Sequence, residues 1–296
     1  MTIRAPSVEP WPQRVELNRA SPEPAVAARS IEPTSATTPI NSEAVKATES
    51  AKVPAGPPPS LAEIVAKAEA FYAKTPNYTC KITRQERLGN TLQPVEKILL
   101  HFRNQPRSVY YRWVGDVCAG RECIWVENAN DGKIVSKGGK SDFGMSGMRI
   151  AVHPDSFLAK SRSRYTIHQS GQDTLVRKLR QIMEECERGT LPSDTLRYVG
   201  LEKHPEADAP MHHVVETIKP GTPLFANGGV RDFYFDPDTG RIVIVEAKDP
   251  KGERQEFYFF EHLFANNTLT AADFDPDIMF AKPAKAATAG VGDPPK

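Results

Sequence analysis

Regular alternation of apolar and polar positions begins at residue 60. Leu61, Ile64, Val65, Ala68, Phe71 and Tyr72 recur at helical spacing, with Glu63, Lys67 and Lys74 between them, which predicts an amphipathic helix. Ser60 stands at its N-cap, Glu63 completes a capping box, and Thr75-Pro76-Asn77 ends it. The period then changes from 3.6 to 2. Tyr78-Cys80-Ile82, Ile98-Leu100-Phe102, Val109-Tyr111-Trp113 and Ile124 to Val126 read as strands. Asn130-Asp131-Gly132 marks a hairpin returning through Lys133 to Lys137. Gly138 to Gly147 is irregular, Met148 to Ala159 is apolar but broken by Pro154, and Tyr165 to His168 reads as a short strand. Gln172 to Glu187 has the spacing of a second helix closed by Gly189. Alternation resumes over 195–202, 212–218, 230–235, 241–247 and 254–260, with turns at Asp236 to Gly240 and Asp249 to Gly252. The pattern predicts an α+β fold: an antiparallel sheet of about ten strands with two main helices. Strands and helices do not alternate, which argues against a doubly wound parallel sheet.

Two segments carry more than fold class. Ile242-Val243-Ile244-Val245 and Phe257-Tyr258-Phe259-Phe260 are apolar at consecutive positions, so both faces of these strands need cover. Helices can cover one face. The other must curl on itself or hold something apolar, which points to a strongly curved sheet around an apolar interior.

Composition divides the chain. Residues 1–59 hold 11 of the 26 prolines and one aromatic, Trp11. Such a segment buries too little apolar surface to offset the entropy of ordering it, so it is expected to be a disordered tail or linker. Residues 281–296 have a similar Ala/Gly/Pro character. The expected domain is 60–280. The charges, 38 basic against 37 acidic, are interspersed, which argues against a nucleic-acid partner. There is no transmembrane run and no visible signal peptide.

Candidate chemistry is sparse. Cys118 and Cys123 flank a turn, where either a disulfide or two reduced thiols would fit. No CxxC is present, and no metal or cofactor is expected. His212-His213 would point to opposite faces of a strand. His153-Pro154-Asp155-Ser156 holds three triad residue types too close in sequence to converge, and Gly138-Gly139-Lys140-Ser141 lacks the first glycine of a phosphate loop. Asp273, Asp275 and Asp277 lack the glycine and glutamate of a calcium loop. Tyr110, Tyr111, Trp113 and Trp125 sit on adjacent strands, either as core or as the wall of an apolar pocket.

Asn77-Tyr78-Thr79-Cys80 with Arg84-Gln85-Glu86-Arg87, Phe102-Arg103 through Pro106 to Tyr110 and Trp113, Gly120-Arg121-Glu122, and Phe257 to Asp275 resemble the domain-of-unknown-function family 1571. That family is distantly similar to the Lol-type outer-membrane lipoprotein-sorting carriers. The resemblance implies a curved antiparallel half-barrel closed by helices, with an apolar interior for lipid chains, in an exported protein of the periplasm or cell envelope. The expected function is non-enzymatic binding of an acyl chain or lipoprotein, with Tyr111, Trp113, Trp125 and Phe259 as candidate contacts. The alternatives are an interaction module tethered by its tail, which requires a filled interior, and an enzyme of unrecognised type, for which His101, His168 and Glu122 are the places to look.

Overall fold

The computed structural model describes residues 57–281 except Phe143 and Asn267. The expected tails, apart from 57–59 and 281, lie outside the described residues. The first helix, α1 (Leu61–Lys74), starts where its capping box requires: the Ser60 hydroxyl accepts from the Glu63 N–H and the Glu63 carboxylate accepts from the Ser60 N–H. It buries Ile64, Val65, Ala68 and Tyr72.

Seven strands follow: β1 (Asn77–Leu88), β2 (Thr91–Leu92), β3 (Glu96–Arg103), β4 (Ser108–Trp113), β5 (Glu122–Val126), β6 (Ile134–Lys137) and β7 (Arg149–Val152). The chain then crosses through α2 (Phe157–Lys160) and α3 (Gln172–Glu187). A second meander comprises β8 (Leu196–Glu202), β9 (Met211–Ile218), β10 (Gly229–Phe235), β11 (Ile242–Lys248) and β12 (Arg254–Ala265), and α4 (Pro276–Met279) is the last element of the described residues. All twelve strands form one antiparallel sheet in the order β7-β6-β5-β4-β3-β1-β12-β11-β10-β9-β8, with β2 paired to β1. The first and last long strands meet at its centre, so the two meanders become one open, curved half-barrel.

The helices and the sheet match the expected class, with two differences of detail. Twelve strands replace about ten, because β2 and β7 are too short to show a period. The strand expected at 165–168 is a 3-10 turn over Ile167–Gln169, capped by Thr166 and Gln169. This segment crosses the sheet without a neighbouring strand, so a local turn satisfies its backbone instead.

One face of the sheet packs against α1, α3 and the crossover. Tyr78, Ile82, Leu100, Phe102, Phe233, Phe235 and Phe260 meet Val65, Ala68, Val176 and Leu179 there. A polar knot ties the layers: the Ile242 N–H donates to the Tyr72 hydroxyl (3.0 Å), the Tyr72 hydroxyl donates to the Gln172 side-chain carbonyl, and the Gln172 N–H donates to the Tyr78 hydroxyl (2.9 Å). The other face is also covered. The C-terminal segment lays Leu269, Phe274, Met279 and Phe280 over Tyr110 and Ile124, while Met211, Tyr234, Val243, Ile244 and Phe257 form a separate cluster. The doubly apolar strands therefore have cover on both sides. Among the described residues no helix is long and apolar enough to cross a membrane.

Candidate ligand cavity

The helices do not fill the half-barrel. Between its concave face and the crossover lies an open cavity of about 1620 Å³. This exceeds the range of about 300–1,000 Å³ usual for drug-sized ligands.

Its walls follow from strand register. Ile82 on β1 stands opposite Phe260 on β12 and Ile98 on β3, and Ile98 stands opposite Trp113 on β4. These side chains, with Leu100, Tyr111, Ile134 and Val152, make an apolar wall. Two residues further along β1 the inward position is Arg84, and two beyond that it is Glu86. The change occurs at one level on neighbouring strands. Glu86 pairs with Glu256 of β12, Glu256 with Ala247 of β11, Ala247 with Arg231 of β10, and Arg231 with Glu216 of β9. The next row inward is Arg84, Tyr258, Val245, Phe233 and Val214. The concave face is thus apolar along most of each strand and charged at one end.

Buried charges need partners, and here they have them. Arg231 donates to Glu216 (2.7 Å) and Glu256 (2.9 Å). Glu256 also accepts from the Tyr165 hydroxyl (2.6 Å) and from the Arg164 Nε (3.3 Å). Glu86 accepts from the Tyr258 hydroxyl, the Ser163 hydroxyl and the Arg164 N–H. Arg84 is paired with Glu96. Arg164, Tyr165 and Ser163 belong to the crossover, so this array also fastens the crossover across the cavity. Phe225, from the loop before β10, lies under both Arg164 and Arg231 at 4.9 and 5.0 Å.

The structure separates the sequence candidates. Tyr111 and Trp113 line the cavity, and the Tyr111 hydroxyl reaches Ser170 of the crossover (2.9 Å). Trp125 lies on the same face but packs edge-on against His168 at 4.6 Å, outside the cavity wall. Phe259 belongs to the opposite face, where it packs with the Tyr234–Phe257 cluster, while its neighbours Tyr258 and Phe260 line the cavity. All four cysteines are free thiols, Cys118 and Cys123 included. Cys123 faces the cavity, and burial pushes its thiol up to about 12; burial also raises that of Cys118. Neither is poised as a nucleophile.

His101, His168 and Glu122 do not converge. His101 and Glu122 share Tyr110 on the outer side, with the Tyr110 hydroxyl donating to Glu122 (2.6 Å), while His168 packs on Trp125. His212 and His213 point apart, to Tyr198 and to Glu202 with Asp232. In the His153–Ser156 segment the Ser156 hydroxyl caps α2. The Gly138–Ser141 loop is held by Asp142, which accepts from the Gly139 N–H (2.8 Å) and is paired with Arg121. Asp275 is the N-cap of α4. Among the described residues no His, Cys, Asp and Glu cluster is arranged to hold a metal ion.

Sequence reasoning missed Arg164, Lys178, Arg231 and Glu256. A signal existed for Glu256: reading inward positions along β12 gives Phe260, Tyr258, Glu256, the mirror of Ile82, Arg84, Glu86 on β1. The family profile of DUF1571, a protein family of unknown function, matches residues 75–283. The chain belongs to that family. No curated protein matches it. Among solved structures it is similar to the Mycobacterium tuberculosis lipoprotein LppX, at 8% identity over 73% of this chain and 100% of that one (TM-score 0.40). A LolA-superfamily protein from Nitrosomonas europaea is similar at 6% identity over 74% and 98% (TM-score 0.33). The Pseudomonas aeruginosa MucA/MucB complex contains a chain similar at 15% identity over 72% of this chain, which spans 59% of it (TM-score 0.38).

Proposed function

We propose that this DUF1571 chain is a non-enzymatic binding protein of the bacterial cell envelope. It takes an apolar chain, an acyl chain or the lipid end of a lipoprotein, into its half-barrel. The observation that carries this reading is the cavity of about 1620 Å³, walled by Tyr111, Trp113, Ile82, Leu100 and Val152. The interaction-module alternative calls for a filled interior, and the cavity counts against it. The Arg and Glu side chains in its wall are engaged with one another, which suits holding a ligand better than moving protons. The envelope location comes with the family resemblance and is part of the proposal.

The energetics suit a long chain. Burying sixteen CH₂ groups gains about 13 kcal/mol at about 0.8 kcal/mol each. Association costs about 4–15 kcal/mol. At the lower cost one chain binds tightly; at the upper, the head group decides.

The test is native mass spectrometry and lipid extraction on the full chain, purified from an envelope fraction. A stoichiometric co-purifying lipid is expected. Protein that is empty and also fails to bind a fluorescent fatty acid would sink the reading.

A further inference from the structure

Ten basic and five acidic side chains line the cavity, and several of the basic ones pair with carboxylates just behind the wall: Arg84 with Glu96, Lys137 with Glu122, Lys160 with Asp155 and Arg231 with Glu216. The carboxylates of the charged row are already engaged: Glu86 by Tyr258, Ser163 and Arg164, Glu256 by Tyr165, Arg164 and Arg231, and Glu216 by Arg231. None of these is left over to receive a cationic group. Lys178 is different. It projects from α3 into the cavity and, among the described residues, makes no ion pair within 4 Å. Its side chain is solvent-exposed in the open cavity, and desolvation with the Arg231 guanidinium nearby lowers its pKa from the ordinary value, against the pull of Glu216 and Glu256. An anion beside it would relieve both effects.

We propose that the ligand is an anionic amphiphile, a long alkyl chain ending in a phosphate or carboxylate, with its chain along the apolar rows and its acid group beside Lys178. This rests on the binding function proposed above and adds the chemical class of the ligand. The layout supports both parts. The inward positions change from Ile82 to Arg84 and Glu86 on β1, from Phe260 to Glu256 on β12, and from Phe233 to Arg231 on β10, so apolar and charged zones meet within one cavity. A neutral lipid would leave Lys178 desolvated and unpaired, while an acid head supplies its missing partner.

The experiment compares four dodecyl compounds on the full chain by titration calorimetry below their micelle concentrations: dodecyl phosphate, dodecanoate, dodecanol and dodecyltrimethylammonium. The two acids are expected to bind about tenfold or more tighter than dodecanol, the return on one charge-assisted hydrogen bond. Salt should weaken the acids and leave the alcohol unchanged. Lys178→Met should remove most of the acids' advantage without altering dodecanol affinity. The tighter of the two acids identifies the head group. Equal affinity for acids and alcohol, or preference for the ammonium compound, overturns the inference while leaving the apolar-chain reading in place. Failure of every dodecyl compound to bind overturns both.

Discussion

The Tyr72 hydroxyl is the hinge of a wholly interior hydrogen-bond chain. It accepts from the Ile242 backbone and donates to Gln172. Tyr72→Phe keeps the ring and strands both partners, so it should cost about 1–3 kcal/mol in urea denaturation, the usual penalty for an unsatisfied buried group. His213 offers a contrasting case. Both ring nitrogens face carboxylates, Glu202 at 2.7 Å and Asp232 at 2.8 Å, and the ring stacks on Tyr234 at 4.4 Å. Burial opposes its charge, but the hydrogen bonds to Asp232 and Glu202 outweigh burial and raise its pKa above 6.5. A raised histidine contributes stability that is complete below the unfolded value and lost as pH rises through the folded one. The stability gap between wild type and His213→Asn, read from urea midpoints, should therefore be larger at pH 5.5 than at pH 8.5. An equal gap at both values would show that the imidazolium is not what holds these strands.

At the scale of elements, the crossover between β7 and α3 is held in part by one side chain, Arg164. Arg164 donates through its backbone to Glu86, through Nε to Glu256, and through its two terminal nitrogens to the carbonyls of Arg87 and Leu224. Removing one member of a buried ion pair costs about 3–5 kcal/mol. Arg164→Ala should lose at least part of this, and amide hydrogen exchange should quicken over 153–171 before it does in β1 or β12. The start of α3 is equally constrained. Gly171 has φ +105°, and a Cβ there would sit 2.5 Å from the Phe102 ring. Gly171→Ala must shift either the helix or β3, and its melting temperature should fall by several degrees, as expected for a loss of about 1 kcal/mol or more.

For the whole molecule, the open half-barrel leaves a cavity beside its packed core. A bulky residue added there should therefore cost little stability and much occupancy. Val152 lines the cavity from the edge strand β7 and is only partly buried. Val152→Trp is expected to keep its urea midpoint while lowering the fraction of protein carrying co-purified lipid in native mass spectra. Loss of stability comparable to overpacking a filled core, about 1–3 kcal/mol, would show that the space is smaller than the structure indicates.

The sequence by itself determined what is local. The capping box of α1, the apolar face of α3, the turns at Gly240 and Gly252 and the antiparallel class are each written within one short segment, because helix caps and side-chain periods need no distant partner. The tertiary structure decided what depends on pairing. Residues 86 and 256 become neighbours only because the first long strand and the last pair at the sheet's centre. Phe257 to Phe260 is uniformly apolar, so nothing in it announces which residues face inward; the register with β1 does, sending Tyr258 and Phe260 to the cavity and Phe259 to the other side. The aromatic pair Tyr111 and Trp113 was legible because their strand alternates. The charged end of the cavity was not, because Arg84, Glu86, Arg164, Arg231 and Glu256 come from four separate segments whose charges look like ordinary surface until the sheet curls and buries them together.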